Sequence, residues 1–465
     1  MKNLTLKNIA AACGGRLAGN EKQQAICVTD ITTDSRKVTE GSLFVAIPGE
    51  RVDGHDYIPK AVAAGASAVI TEKKPEGGEF PYIQVNSSLQ AVKDIAEYYL
   101  AGLKIPVIGI AGSVGKTSTK EMVASVLEQK YRVLKTEGNF NNELGLPLTI
   151  FRLREEHELA VLEMGISDFG EMHRLSKIAR PETCVMTNIG WCHLENLKDR
   201  DGILKAKSEI FDFIRPGGHV VLNGDDDKLA TIREVKGIIP RTFGLSGGNE
   251  IWADELEGRG LKGISCKIHI PGEDFRVLVP MPGEHMVYNA LAATAVGLYY
   301  GLTAEEIRRG IEGYQTISGR FRILETGTYT LIDDCYNANP VSMKTSLQAL
   351  QDGENRRVAV LGDMGELGEN EKELHREVGA FAGAQSIDAL YCAGPLCEYM
   401  AEAAAEANPK LEVRYYPSRD RLMVELRKLL KPGDTVLIKA SHYMGFDKIV
   451  GMLKEGWSNS PDQRP

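Results

Sequence analysis

Residues 107–121 read VIGIAGSVGKTSTKE, an apolar run that breaks into Gly112-Ser113-Val114-Gly115-Lys116-Thr117 and then into helix-forming residues. The usual P-loop spacing places a glycine five residues before Gly115, but that position holds Ile110. Two readings are open: a shortened phosphate loop, or a glycine-rich turn between a strand and a helix. PVIGIAG supplies a buried strand, and TSTKEMVASVLEQK a helix whose apolar face is Met122, Val123, Val126 and Leu127. Between them Gly112 and Gly115 let backbone N–H groups wrap an anion, and the helix N-terminus adds partial positive charge. Ser113, Val114 and Ser118 complete the loop and the first turn. Lys116 would neutralise outer phosphates, and the Thr117 hydroxyl would hold magnesium. A lone GxxG favours the plain turn; GKT at a strand-to-helix junction favours phosphate binding.

The rest of the chain suits such a ligand only locally. Its 465 residues allow two to four domains, and 43% hydrophobic with 26% charged residues is an ordinary globular composition. A net charge of −9 argues against nonspecific binding to nucleic acid or acidic membranes. A polyanion therefore needs a locally positive, glycine-lined site. No apolar run approaches the ~20 residues needed to cross a bilayer. MKNLTLKNIAAACGG is too polar for a secretory signal, so the expected location is the cytoplasm. Eight cysteines without a CxxC read as reduced thiols.

Three segments follow one another, giving an α/β chain of three domains. Residues 1–84 alternate short β-type runs (SLFVAI, SAVITE) with the small-residue helix IPKAVAAGA, a small α/β domain. Over 85–315 the runs PVIGIAG, YRVLKT, LAVLEMG, TCVMTNIG and GHVVLNG recur between helical patterns, as in a mostly parallel, doubly wound sheet. From 316 to 465 YTLIDD, RRVAVLGD, ALYCAG, EVRYYP and DTVLIKAS restart the pattern, a third, Rossmann-like domain ending in a polar tail.

Ligands of open α/β sheets gather at the carboxyl ends of strands, so the polar residues there come first. Glu163 ends LAVLEMG, placed either to meet a magnesium ion or to cap the next helix. His193 follows another strand in TNIGWCHLEN, and a lone histidine is more often structural. Lys205 and Lys207 follow in KAKSEIF, two apart on a helix, so at most one of them faces the site. The other reading leaves both solvated.

Together these residues resemble the ATP-dependent Mur ligases of peptidoglycan synthesis. The family has a short GxxGK[ST] loop, a strand-end glutamate, a metal-binding histidine and an alanine-lysine pair whose lysine carries a carbamate. The resemblance runs over nearly the full length. TTDSRKVTEGSLFVAIPGERVDGHDY is similar to a UDP-sugar-binding domain. GNFNNELGLPLT, DDCYNANP and GDMGELG resemble the branch that joins D-alanyl-D-alanine to UDP-N-acetylmuramoyl-tripeptide.

The resemblance implies a role for each matching position. Lys116 contacts the phosphates, with Thr117, Glu163 and His193 around magnesium, two ions in all, and Lys207 as the carbamate. Asn289 in GEHMVYNALAA meets adenine, Arg320 in SGRF reaches the γ-phosphate, and Asp334 in DDCYN contacts the ribose. Asp34, Ser35 and Arg36 lie near the uridine diphosphate, and Asn141 and Asn142 face the muramoyl-peptide; turn and capping duty is the plainer alternative for the asparagines. One departure stands out: relatives read KGSR where this chain has Lys439-Ala440-Ser441-His442.

The implied reaction is amide formation through an acyl phosphate in a monomer with no nucleic-acid partner and no membrane span. Lys116, Arg320 and magnesium offset the repulsion between carboxylate and γ-phosphate. Two rivals remain: the branch that adds the third peptide residue to the same nucleotide, and a P-loop switch module. The switch explains GSVGKTS but not the His193/Lys207 pair.

Overall fold

The computed structural model describes residues 1–49, 52–75, 80–192 and 194–454. They form two compact units. One comprises Met1–Leu256, Cys266–Val279 and Glu284–Tyr314; the other comprises Glu257–Ser265, Pro280–Gly283 and the chain from Gln315 onward.

The first unit opens with β1 (Arg16–Ala18), β2 (Asp30–Thr32), β3 (Ser42–Val45), β4 (Ala68–Thr71) and β5 (Tyr82–Gln84), in sheet order β1-β5-β4-β3-β2. Only β1 runs antiparallel to its neighbour. A nine-stranded sheet follows: β6 (Val107–Ala111), β7 (Val133–Lys135), β8 (Leu159–Glu163), β9 (Thr183–Met186), β10 (His219–Asn223), β11 (Arg241–Gly244), β12 (Ile251–Gly258), β13 (Ile264–Ile270) and β14 (Glu273–Val279). Its order is β14-β13-β12-β11-β10-β9-β6-β8-β7, and the strands from β12 to β7 pair in parallel.

Every residue of β6 is buried, because both sheet faces are covered. Val107 and Ala111 join a core with Val92, Ile95, Leu175 and Ile178, and that core continues to Leu4, Leu43 and Ile83 around the first sheet. Helix Lys116–Leu127 buries Met122, Val123, Val126 and Leu127, the face its periodicity predicts. It also buries Thr119, Lys120 and Glu121, since further helices cover its outer side. The small size of Gly310 permits this approach: a Cβ there would sit 2.4 Å from Val126 Cα.

The second unit holds β15 (Arg322–Glu325), β16 (Thr330–Asp333), β17 (Arg357–Gly362), β18 (Ala389–Ala393), β19 (Glu412–Tyr416) and β20 (Thr435–Lys439), ordered β15-β16-β20-β17-β18-β19. All neighbours are parallel except β15 and β16. Helices Pro340–Leu350, Glu371–Ala384 and Cys397–Ala407 contribute Leu347, Val378 and Met400 to one core. Helices Arg419–Leu429 and Asp447–Lys454 contribute Leu422, Leu426, Ile449 and Leu453 to another. The two cores cover opposite faces, as in a Rossmann-like layer sandwich. All eight cysteines are free thiols. Among the described residues no helix is long and apolar enough to cross a membrane.

Candidate nucleotide and cation site

Ile110 stands where a longer phosphate loop would begin because β6 runs one residue beyond it. It pairs with Glu163 of β8 and Val185 of β9, so it needs no glycine's freedom. The chain turns at Gly112, with φ +149°, where a Cβ would lie 2.0 Å from Thr187 Oγ1. The Thr187 hydroxyl donates to the Val114 carbonyl at 2.7 Å. Asn188 clasps Val114 from both sides, Nδ2 donating to its carbonyl at 3.0 Å and Oδ1 accepting its N–H at 2.9 Å. Ser113 N–H donates to the Asn188 carbonyl at 3.0 Å. The segment after β9 therefore splints the loop, a role that inspection of the GSVGKTS stretch alone misses. The signal was available: TNIG also follows a strand.

With the N–H groups of Ser113 and Val114 engaged, anion donors come from the first turn of the helix, at Lys116, Thr117 and Ser118, which has no intrahelical acceptors. Gly115, at φ +82°, occupies its N-cap. Lys116 Nζ donates to the carbonyls of Gly112 at 2.8 Å and Ser113 at 3.2 Å, so its cation lies over the loop.

Glu163 is 3% exposed. Its N–H donates to Thr136 Oγ1 at 3.0 Å, and its Oε1 accepts from Asn141 Nδ2 at 2.8 Å. Its Oε2 is buried with no hydrogen-bond partner among the described residues. Leaving a carboxylate oxygen so is costly, and a hard divalent cation is the group whose coordination satisfies it. Thr117, also buried, supplies a hydroxyl in the helix's first turn. These residues fit a magnesium ion. His193 lies outside the described residues. Among those described, no three His, Cys, Asp or Glu side chains form a metal cage.

The lysine pair divides as the helix geometry requires. On helix Arg200–Ser208, Lys205 is exposed and Lys207 is 1% exposed. Among the described residues the Lys207 side chain makes no hydrogen bond or ion pair, while its main-chain carbonyl accepts the Glu209 N–H. Burial, reinforced by the Lys116 charge and opposed by Cys192, pushes its pKa down to about 8. It therefore holds a neutral fraction near pH 7 that an ordinary lysine lacks.

Asn289 is buried on helix Glu284–Tyr299; its Oδ1 accepts from Thr119 at 2.8 Å, and a Cβ on Gly115 would lie 3.6 Å from it. Asn142 Oδ1 accepts the N–H of Gly145 at 2.8 Å, ordinary turn duty at the start of helix Gly145–Ile150. In the TDSR loop, Asp34 holds the Arg36 guanidinium at 2.9 and 2.8 Å. That hydrogen bonding keeps the Asp34 carboxyl down at about 2. Ser35 between them is buried.

In the second unit Asp333 and Asp334, at the end of β16, organise the SGRF turn. Asp333 Oδ2 accepts from Ser318 Oγ at 3.0 Å and from Gly319 N–H at 2.9 Å. Asp334 accepts the N–H of Phe321 at 3.0 Å, Ser346 Oγ at 2.6 Å and Lys439 Nζ at 2.7 Å. Lys439 is buried, while Asp334 keeps partial exposure and two other donors, so the pair is matched on both sides. Arg320 lies with its guanidinium carbon 4.2 Å from the Tyr336 ring centre. Ala440, one of the departures from KGSR, packs against Gly362, where a Cβ would meet its methyl at 2.6 Å. His442 is exposed beside Tyr336, their ring centres 5.8 Å apart.

Gly112→Ala tests the loop geometry. The side chain must displace Thr187 in a backbone conformation that costs on the order of 1–3 kcal/mol. Lower thermal stability together with at least tenfold weaker ADP binding is the expected outcome by calorimetry; unchanged ADP affinity would contradict it.

Known proteins match this arrangement throughout. Residues 28–111 match the Mur ligase family catalytic domain, 110–297 the Mur ligase middle domain, and 319–442 the Mur ligase glutamate ligase domain. The UDP-N-acetylmuramoyl-tripeptide–D-alanyl-D-alanine ligase of Bacillus subtilis (strain 168) is 36% identical, covering 97% of this chain and 98% of its own. The Escherichia coli (strain K12) ligase of the same name is 32% identical, covering 98% of this chain and 99% of its own. A crystal structure of MurF from Acinetobacter baumannii superimposes with TM-score 0.90 at 32% identity, covering 97% of this chain and 99% of that one. MurF ligase from Thermotoga maritima in complex with ADP gives 0.77 at 31% identity, covering 92% and 97%. The chain belongs to the Mur ligase family, within its UDP-N-acetylmuramoyl-tripeptide–D-alanyl-D-alanine ligases.

Proposed function

We propose that this chain is the ATP-dependent ligase that joins D-alanyl-D-alanine to UDP-N-acetylmuramoyl-tripeptide, giving the UDP-MurNAc-pentapeptide, ADP and phosphate in cytoplasmic peptidoglycan precursor synthesis. The observation that carries the chemistry is the splinted phosphate loop beside a buried Glu163 with one unpartnered oxygen. The choice of amine rests on the full-length relatives; the solved diaminopimelate-adding ligase is 16% identical and shares the fold alone. Residues 1–84 would bind the UDP-sugar, 85–315 the ATP, and 316–465 would complete the ligase.

The anion-rich reaction sets the residue roles. The tripeptide carboxylate attacks the γ-phosphate, giving an acyl phosphate and ADP; the dipeptide amine then attacks that carbonyl and phosphate leaves. Lys116 and Arg320 neutralise the transferring phosphoryl group. Asn289 meets the adenine, Asp334 serves the ribose, and Asp34, Ser35 and Arg36 serve the uridine diphosphate. Asn142 lies in the segment assigned to the muramoyl-peptide. Two magnesium ions, held by Thr117, Glu163, His193 and Lys207, would supply further charge neutralisation.

Lys207 enters that set as a carbamate. An ammonium would repel the cation, whereas the neutral amine takes up CO₂, loses a proton and presents an anionic oxygen. Burial supports this reading by favouring the neutral amine.

Phosphate release tests the function: rapid release should require both UDP-MurNAc-tripeptide and D-alanyl-D-alanine. Release without the dipeptide would favour a switch module, and release with lysine or diaminopimelate on a dipeptide nucleotide would favour the third-residue branch. Lys207→Ala should lose at least ~100-fold in rate, as for loss of a preorganised charge stabiliser, and acetate or propionate should partly restore it. Lys205→Ala should cost little. With ¹³CO₂ at fixed pressure, a carbamate carbon signal should grow as pH rises through about 8, where Lys207 loses its proton. An absent signal in the wild-type protein would remove the carbamate from the account.

A further inference from the structure

Glu163 is held within a set of polar side chains linked to one another. Lys120 is 0% exposed, a buried cation on the helix that follows the loop. Its Nζ donates to the Thr136 carbonyl and pairs with Glu121 at 2.7 Å, and Glu121 is held in turn by Lys135 at 2.6 Å. Thr136 is buried, its N–H donating to the Val161 carbonyl at 3.0 Å, and its Oγ1 takes the Glu163 N–H. From the other side Asn141 gives Nδ2–H to Glu163 Oε1, while its own carbonyl accepts the N–H of Gly165 at 2.9 Å. Gly165 leaves room for that amide: a Cβ there would lie 2.9 Å from Asn141 Cγ.

We propose that Asn141 is a positioning residue for the cation, fixing Glu163 so that Oε2 alone faces it, with Thr136 and Lys120 as the backing. This rests on the assignment of Glu163 to the cation. A carboxylate free to turn would offer either oxygen; one held at its main-chain N–H and at Oε1 offers one oxygen in one direction. The donor's type matters as much as its place. A lysine or arginine there would neutralise Glu163 and compete with the cation, whereas a neutral amide fixes the oxygen and leaves the charge intact. The side chain is thereby committed to Glu163, although its segment resembles the muramoyl-peptide face.

The test is Mn²⁺ binding to the ADP-saturated protein, followed by the paramagnetic resonance signal of free Mn²⁺, beside the KM for UDP-MurNAc-tripeptide. Glu163→Gln is the reference. Asn141→Ala should weaken Mn²⁺ binding at least about 10-fold, the usual scale for outer-shell partners of metal ligands, with the KM within twofold of wild type. Thr136→Val should move Mn²⁺ binding the same way, and decides the matter if Asn141→Ala does not fold by circular dichroism. If Glu163→Gln weakens Mn²⁺ binding and the folded Asn141→Ala does not, the positioning role falls alone. A raised KM with unchanged Mn²⁺ affinity overturns it in favour of a substrate contact. If Glu163→Gln itself leaves Mn²⁺ affinity unchanged, the cation assignment fails and takes this inference with it.

Discussion

The contact between Gly112 and Thr187 sets the geometry on which the site depends. With no side chain at 112, the Thr187 hydroxyl can reach across to the Val114 carbonyl, and Asn188 can close around Val114. Asn188 also accepts the N–H groups of Val114 and Ser113, taking up loop donors that a phosphate could otherwise use. The donors that remain are those of the first turn of helix Lys116–Leu127, where N–H groups without intrahelical acceptors and the helix dipole coincide. The short loop is thus a consequence of β6 continuing through Ile110 into Ala111, with β8 and β9 on either side.

Unpaired charge is the second organising fact. Buried ionisable groups are ordinarily matched, as Lys439 is with Asp334 and Lys120 with Glu121. Among the described residues, Glu163 Oε2 and Lys207 Nζ break that pattern in the same unit as the phosphate loop. Unmatched polar groups reduce stability, and perturbed or unsatisfied groups of this kind gather at functional sites.

Much of this was legible in the sequence, for local reasons. Apolar runs gave β6, β8, β9 and β10 because buried parallel strands need continuous hydrophobic sequence. The two-residue spacing of Lys205 and Lys207 implied that they diverge, and one is exposed while the other is buried. What was not legible comes from contacts between distant residues. Val114 and Asn188 are 74 residues apart, and Lys439 and Asp334 are 105 apart. Lys120 is buried because further helices cover the outer side of its own helix, which local sequence does not encode. The alternating strands β12, β13 and β14, which extend the sheet beyond its helix-separated runs, also fell outside a reading keyed to continuous apolar stretches.

An isotope shows whether the bound carboxylate attacks the γ-phosphate before any amine reacts. UDP-MurNAc-tripeptide carrying ¹⁸O in its terminal carboxylate should yield inorganic phosphate bearing one ¹⁸O per amide bond formed with D-alanyl-D-alanine. Amide formation accompanied by unlabelled phosphate would contradict the acyl-phosphate route.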